Sequence, residues 1–263
     1  MDFLNQFATN IESSTGYSCH GSAYIMTNED LRLAMEFMPK NCNRALTVAA
    51  SGDHPLWCSL YGAKHVDTFD ITYNAKCIMD IKTTALNCLR WSEYISLVKN
   101  LYYWPDGSQV LFQEKIANLL PKEELEYMES GDDWLFSSGG MYECYLPKKR
   151  EYRKLKKIVK KPYNFIQTDI AKLGYKLTES YDFIHLSNIM ELVAEENLCE
   201  TIIVSLMRYV NPGGRILFQH LLSKLWEEPP IPRYLYYPDG KADWRFIPVN
   251  QKFDSKSILE RVR

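Results

Sequence analysis

Apolar and polar positions along the chain alternate between a strand-like and a helix-like pattern. Residues 45–50 (Ala-Leu-Thr-Val-Ala-Ala) are a short apolar run with β-branched members, and Ser51-Gly52-Asp53-His54-Pro55 follows at once. This predicts a buried strand, a tight turn and a helix opening with Pro55 at its first position. Leu56, Trp57, Leu60 and Tyr61 carry that helix, and Gly62 stops it. Residues 66–71 predict a second strand ending on an acid, Asp70. Over about 74–90, Ile78, Ala85, Leu86 and Leu89 recur at helical spacing with Lys82 on the same face. Strand signals return at 163–169 and 181–187. A helix from about Glu195 to Tyr209 follows, then the turn Asn211-Pro212-Gly213-Gly214 and a strand over 215–219. Finally Arg233–Tyr237 and Asp243–Pro248 flank Pro238-Asp239-Gly240, the pattern of an antiparallel hairpin at a sheet edge.

Strands alternating with helices predict an α/β fold, a Rossmann-like, doubly wound and mostly parallel sheet with a C-terminal antiparallel hairpin. One interval, residues 91–162, is too long for a simple connection. Two of its pieces read as helices (Trp91–Leu101 and Gln109–Leu120), and the rest is rich in Trp, Tyr and Gly. A mainly helical cap over the mouth of the sheet is expected. With no repeat and no low-complexity linker, residues 1–263 read as a single domain carrying that insertion.

Composition narrows the partners. The net charge of −2 gives no overall attraction to nucleic acid, and none is expected to bind. No window reaches the roughly 18 consecutive apolar residues of a membrane span. Met1-Asp2-Phe3 lacks the layout of a signal peptide, so a cytoplasmic location is expected. The 7 cysteines are odd in number and contain no Cys-x-x-Cys pair, which points to free thiols and to no metal site.

In open α/β sheets ligands bind beyond the carboxyl ends of the strands, where the strand order reverses. The polar residues of interest fall at such ends. Ala50, Ser51, Gly52 and Asp53 follow the first strand, Asp70-Ile71 ends the second, Thr168-Asp169 the third and Ser187-Asn188 the fourth. Small residues in the first turn admit a ligand to the backbone, and the helix beyond supplies N–H donors. An acid about eighteen residues after Gly52 suits both ribose hydroxyls. Asp169 is placed for an adenine amino group, and the fourth strand end for the transferred group. Each has a plainer reading too: Ser-Gly-Asp as a turn, a strand-ending Asp as the cap of the next helix. The ordered set is what singles them out.

The order strand–SGD–helix–strand–Asp, then FIQTD, YDFIHLSN and MRYVNPGGRILF, resembles the class I S-adenosylmethionine-dependent methyltransferases. Within that fold, LTVAASGDHPLWCSLYGAKHVDTFDITYNAKCIMDIKTTAL (residues 46–86), with Lys82 and the later YDFIHLSNI, is similar to the betaine-lipid synthases. The resemblance implies S-adenosylmethionine as cofactor, with Ser51, Gly52 and Asp53 in its loop, Asp70 on the ribose, Asp169 on the adenine and Ser187-Asn188 as the fourth-strand motif. It implies transfer of the 3-amino-3-carboxypropyl group to a hydroxyl or lipid-like acceptor. The first loop holds a single glycine, and Ile71-Thr72 stands where the lipid enzymes tend to carry Asn-Pro, which leaves the acceptor open. Methyl transfer to a small molecule, and non-catalytic binding of S-adenosylmethionine, are the alternatives.

Other side chains divide between chemistry and packing. Lys82 either reaches an acid near the site, Asp53 or Asp70, or runs its methylenes along the core and exposes its head. His185, inside the fourth strand, reads as a core histidine with a backbone partner before it reads as a base. His220, near the end of the fifth strand, is the better base candidate and joins Ser187 and Asn188 as the candidate catalytic set. His54 lies in the cofactor loop, where a local turn role serves as well. Ser14-Thr15-Gly16-Tyr17-Ser18, with Tyr24, is positioned to close over the methionine end of the cofactor. Residues 148–161 (KKREYRKLKKIVKK) hold nine basic residues. They form either a solvated helix face or a peripheral contact with an anionic membrane, and nucleic-acid binding ranks third because no aromatic-stacking motif or groove-binding helix accompanies the run.

Overall fold

The computed structural model describes residues 23–101, 109–130, 136–137, 146–193, 196–220, 244–249 and 255–262. In chain order the elements are β1 (Ala23–Tyr24), α1 (Leu31–Met35), β2 (Arg44–Val48), α2 (Asp53–Tyr61), β3 (His65–Asp70), α3 (Tyr73–Cys88), α4 (Trp91–Asn100) and α5 (Gln109–Lys115). After a 3-10 turn (Ala117–Leu119) come α6 (Lys122–Ser130), β4 (Phe136–Ser137), α7 (Lys149–Ile158), β5 (Asn164–Gln167), α8 (Ile170–Lys176) and β6 (Tyr181–His185). A second 3-10 turn (Ile189–Leu192) leads to α9 (Glu196–Met207), β7 (Val210–His220), β8 (Trp244–Val249) and β9 (Ser255–Arg261).

Seven strands form one sheet in the order β5-β3-β2-β6-β7-β9-β8, and β1 pairs with β4 apart from it. The first five are parallel, while β9 lies antiparallel between β7 and β8. Alternation along each strand sends side chains to two cores. Leu46, Ile184, Ile216 and Phe218 pack with Leu173, Ile203 and Leu206 of α8 and α9 on one face. Ala45, Phe183, Leu217 and Ile258 face Leu56, Ile78, Tyr94 and Leu155 of α2, α3, α4 and α7 on the other. Helices thus cover both faces, as a parallel sheet requires. Strand order reverses between β2 and β6, which are hydrogen-bonded neighbours.

Two local expectations are corrected. Helix α2 begins at Asp53, so Pro55 is its third residue; Gly52 makes the turn with φ of 76°. Proline fits there because the N–H groups of the whole first turn lack intrahelical partners. The residues Asn211–Gly214 do not precede a strand but lie within β7. Tyr181 is opposite Val210 and Phe183 opposite Arg215, so residues 211–214 bulge out of the ladder, with φ of 78° at Gly213. Among the described residues the C-terminal antiparallel pair is β8 with β9, Ile247 opposite Ile258; the expected hairpin about Pro238-Asp239-Gly240, with 233–237, lies outside the described residues. Strand β9 escaped the pattern because its apolar pair, Ile258-Leu259, is flanked by Lys256, Ser257 and Glu260, and burial of Lys256 has no local signal.

The described part of the 91–162 interval docks beside α3. Tyr152 of α7 donates its hydroxyl to the carbonyls of Leu86 (3.1 Å) and Leu89 (2.7 Å), and Trp91 Nε1 donates to Pro147 O at 3.0 Å. Tyr152, Leu155 and Val159 turn inward, while Lys149, Arg150, Arg153, Lys154, Lys157 and Lys160 face solvent. Helix α6 meets the first turns of α3, with Tyr127 edge-on to Tyr73 at 4.8 Å between ring centroids. Among the described residues the cysteines (42, 58, 77, 88 and 199) are free thiols, and no helix is long and apolar enough to cross a membrane.

Candidate cofactor site

The carboxyl ends of β2 and β6 lie side by side where the strand order reverses. Just beyond each stands a non-glycine residue with left-handed backbone: Ala50 (φ 43°) and Ser187 (φ 54°), the two such residues among those described. Each conformation costs on the order of 1–3 kcal/mol and persists only where neighbours hold it. Ala50 N donates to Asp70 Oδ2 at 2.9 Å. Ser187 O accepts from Gln219 N at 2.9 Å, and its Oγ donates to Glu29 Oε1.

The first loop is tied inward. Asp53 Oδ2 accepts from Thr27 N (3.0 Å) and Ser51 Oγ (2.9 Å), and Asp53 Oδ1 accepts from Lys82 Nζ at 2.7 Å. Lys82, Asp53 and Ser51 are all buried. Of the two acids offered by the sequence, Lys82 bonds Asp53. Burial pulls the Lys82 ammonium below its ordinary pKa, against the pull of the carboxylate. A Cβ on Gly52 would stand 2.7 Å from Met79 Cα, so this glycine lets α2 pack on the backbone of α3.

Asp70, half-buried at the end of β3, accepts from Ala50 N and, through Oδ1, from Thr72 N at 3.2 Å. Burial pushes its pKa up to about 6 against those hydrogen bonds. Ile71 offers its carbonyl to Gln167 Nε2 at 3.2 Å, and Thr168 N bonds Asp70 O at 2.8 Å, so β3 and β5 end in register. Asp169 is buried, and its Oδ1 caps α8 by accepting from Ala171 N at 2.8 Å. Asn188 is half-buried beside Ser187, with its Oδ1 3.3 Å from Ser187 Oγ. His220 ends β7, opposite Ser255, and its side chain falls outside the described residues. The segment Ser14–Ser18 also lies outside them.

Sequence reasoning passed over Glu29, which precedes α1 and has no periodicity to announce it. Wholly buried, it accepts from His54 Nε2 at 3.3 Å and from Ser187. Burial works to raise its pKa, yet the bonds from His54 and Ser187 and the nearby His185 hold it below the usual carboxyl range. His54 stacks on His185 with ring centroids 5.4 Å apart. His185 bonds side chains rather than backbone: Gln219 Oε1 at 2.7 Å and Thr47 Oγ1 at 3.4 Å. Burial and the neighbouring His54 lower its pKa to about 4, so it stays neutral near pH 7. The buried His54 Nδ1 has no partner among the described residues.

No known family profile matches the chain, and no curated protein matches it in sequence. Solved structures do match. The rRNA methyltransferase AviRa from Streptomyces viridochromogenes aligns over 100% of this chain and 94% of its own, with a TM-score of 0.51 at 11% identity. This is the class I S-adenosylmethionine-dependent methyltransferase fold. The N-methyltransferase NodS from Bradyrhizobium japonicum WM9, in complex with S-adenosyl-L-homocysteine, aligns more loosely, with a TM-score of 0.40 at 10% identity over 85% of this chain and 80% of its own. At such identities the likeness extends to the fold and not to the reaction.

Proposed function

We propose that this protein is an S-adenosylmethionine-dependent methyltransferase. The observation that carries the reading is the pair of strained residues, Ala50 and Ser187, at the adjacent ends of β2 and β6, where a doubly wound sheet opens its ligand crevice. The polar groups around that point suit the cofactor. Asp70 has two carboxylate oxygens, each holding one backbone N–H, with lone pairs left to accept ribose hydroxyls. In the first turn of α2, anchored through Asp53 to Lys82, Asp53 N donates to Ser51 Oγ at 3.4 Å and Pro55 has no N–H, so His54 N is the donor we assign to a carboxylate. Ser51, Gly52 and Asp53 serve by fixing the loop, and Ile71, Thr168 and Asp169 by fixing the adjoining edge.

When bound, S-adenosylmethionine supplies an electrophilic methyl on a sulfonium. The residues of this chain have to orient the acceptor in line with it, exclude water and take up any proton released. Ser187 and Asn188, at the end of β6, are the residues we assign to the acceptor side, with the Ser187 hydroxyl donating to Glu29. His220 and His54 are the candidate proton acceptors, with Glu29 holding His54 through Nε2.

Methyl transfer is preferred over aminocarboxypropyl transfer because the solved structure that shares this fold over the whole chain is named an rRNA methyltransferase. The nucleoside product separates the two. Purified protein with S-adenosylmethionine and a cell extract should form S-adenosylhomocysteine, resolved by mass spectrometry, and Asp70→Ala should not. Enzyme-dependent 5′-methylthioadenosine in its place would restore the betaine-lipid reading. Tight cofactor binding with neither product would make the protein a non-catalytic binder.

A further inference from the structure

The cofactor end accounts for one edge of the sheet; the opposite edge carries a second feature. A groove of about 760 Å³ opens at the amino ends of β2, β3 and β5, with the last turn of α7 as its other wall. It is lined by Arg44, Lys64, His65, Lys154, Lys160 and Lys161. One acid, Asp67, also lines it, but Arg44 neutralises that carboxylate at 2.7 Å. Among the described residues, Lys64, Lys154, Lys160 and Lys161 have no carboxylate partner. Four ammonium groups therefore converge on one concavity in a chain whose net charge is −2. Lys154 Nζ donates to Leu60 O at 2.5 Å and Lys160 Nζ to Lys156 O, carbonyl contacts that leave the positive charges unneutralised.

We propose that this groove binds the phosphodiester backbone of a nucleic acid. Concavity decides between anionic partners. A bilayer surface cannot enter a groove, and of the apolar residues of α7 Tyr152 and Leu155 are spent in the core, which leaves Ile158 alone exposed, too little to anchor the helix in lipid. A phosphate chain enters and places successive charges against successive lysines. Tyr163 in the lining is half-buried with its hydroxyl on Ser59 Oγ at 2.9 Å, which leaves His65 as the exposed ring beside four lysines, so charge on the phosphate backbone dominates the contact. The groove and the cofactor end are separated by the length of β3, about 20 Å at roughly 3.3 Å per residue. A nucleic acid held here is long enough to reach the other end as well. The binding site itself does not rest on the methyltransferase reading.

The test is fluorescence anisotropy with a labelled 20-nucleotide single-stranded RNA, over about 50 to 200 mM salt. Four phosphate contacts give a slope near −3 in log affinity against log salt, at about −0.7 per phosphate. Neutralising the groove with Lys64→Gln, Lys160→Gln and Lys161→Gln should weaken binding at least tenfold. The same number of changes on the outer face of α7 (Lys149→Gln, Arg150→Gln, Arg153→Gln) should weaken it less than threefold. Unchanged thermal unfolding of each variant establishes that it is folded. Equal losses from both triple variants would overturn the groove as the site. Retention on vesicles of phosphatidylcholine with phosphatidylserine, without RNA binding, would replace it with a membrane contact.

Discussion

Lys82, in the middle of α3, reaches Asp53 at the start of α2 with Nζ 2.7 Å from Oδ1, both side chains being buried. The pair joins the helix behind the sheet to the loop that turns out of β2, and so fixes that loop from beneath. Removing one partner leaves an uncompensated buried charge, which costs about 3–5 kcal/mol. Asp53→Asn or Lys82→Met should lose that much in chemical denaturation. Lys82→Met combined with Asp53→Asn keeps the acceptor for Thr27 N without either charge, and should recover at least 1 kcal/mol of the sum. Additive losses would mean that the pair is not coupled.

Asp70 bears on cofactor affinity and on its pH dependence. Hydroxyl donors favour the charged carboxylate, so binding uses the deprotonated form. Its pKa stands near 6. Affinity for S-adenosylhomocysteine should therefore hold above pH 6 and fall, by up to tenfold per unit, as pH drops below it. Asp70→Asn should remove that dependence, and Asp70→Ala should weaken binding at neutral pH by at least tenfold, the loss of one or two charge-assisted bonds. Calorimetry on the three proteins decides it. Wild-type and Asp70→Asn profiles of the same shape would take Asp70 out of the site.

Glu124 of α6 and Asp80 of α3 are buried together, and Lys76 bonds both carboxyls, at 2.8 Å in the case of Asp80. Burial, then the Asp80 charge, push the Glu124 pKa up to about 8. Folding raises this pKa, so between the ordinary carboxyl range and pH 8 the native state holds more protons than the unfolded chain. Stability contributed here is present at low pH and is lost as pH rises toward 8. Glu124→Gln imitates the protonated form. Its melting temperature relative to wild type should climb between pH 5 and pH 9, and a constant difference would show that the pair does not titrate. The contact matters to the site because α6 packs on the first turns of α3, directly after Asp70.

Local pattern in the sequence determined the strands of the parallel sheet, the helices that follow them and the polar residues at four strand ends. These are periodic features: a strand such as Arg44–Val48 or Tyr181–His185 announces itself by a few consecutive residues. Asp70 was legible for the same reason, as an acid closing an apolar run. Tertiary structure decided everything that depends on what a side chain meets. Whether Lys82 is a surface group or half of a buried pair turns on Asp53, 29 positions away. Glu29 lies 158 positions from Ser187 and has no spacing to reveal it. Asp169 carried two readings in the sequence, a ligand contact and a helix cap, and the fold shows its Oδ1 capping α8. The basic run from Lys148 to Lys161 was plain in composition. Only the packing of Tyr152, Leu155 and Val159 shows which of its lysines point outward, and only the sheet edge opposite turns some of them into the wall of a groove. Periodicity is a property of neighbours in the chain, whereas burial and charge pairing belong to neighbours in space.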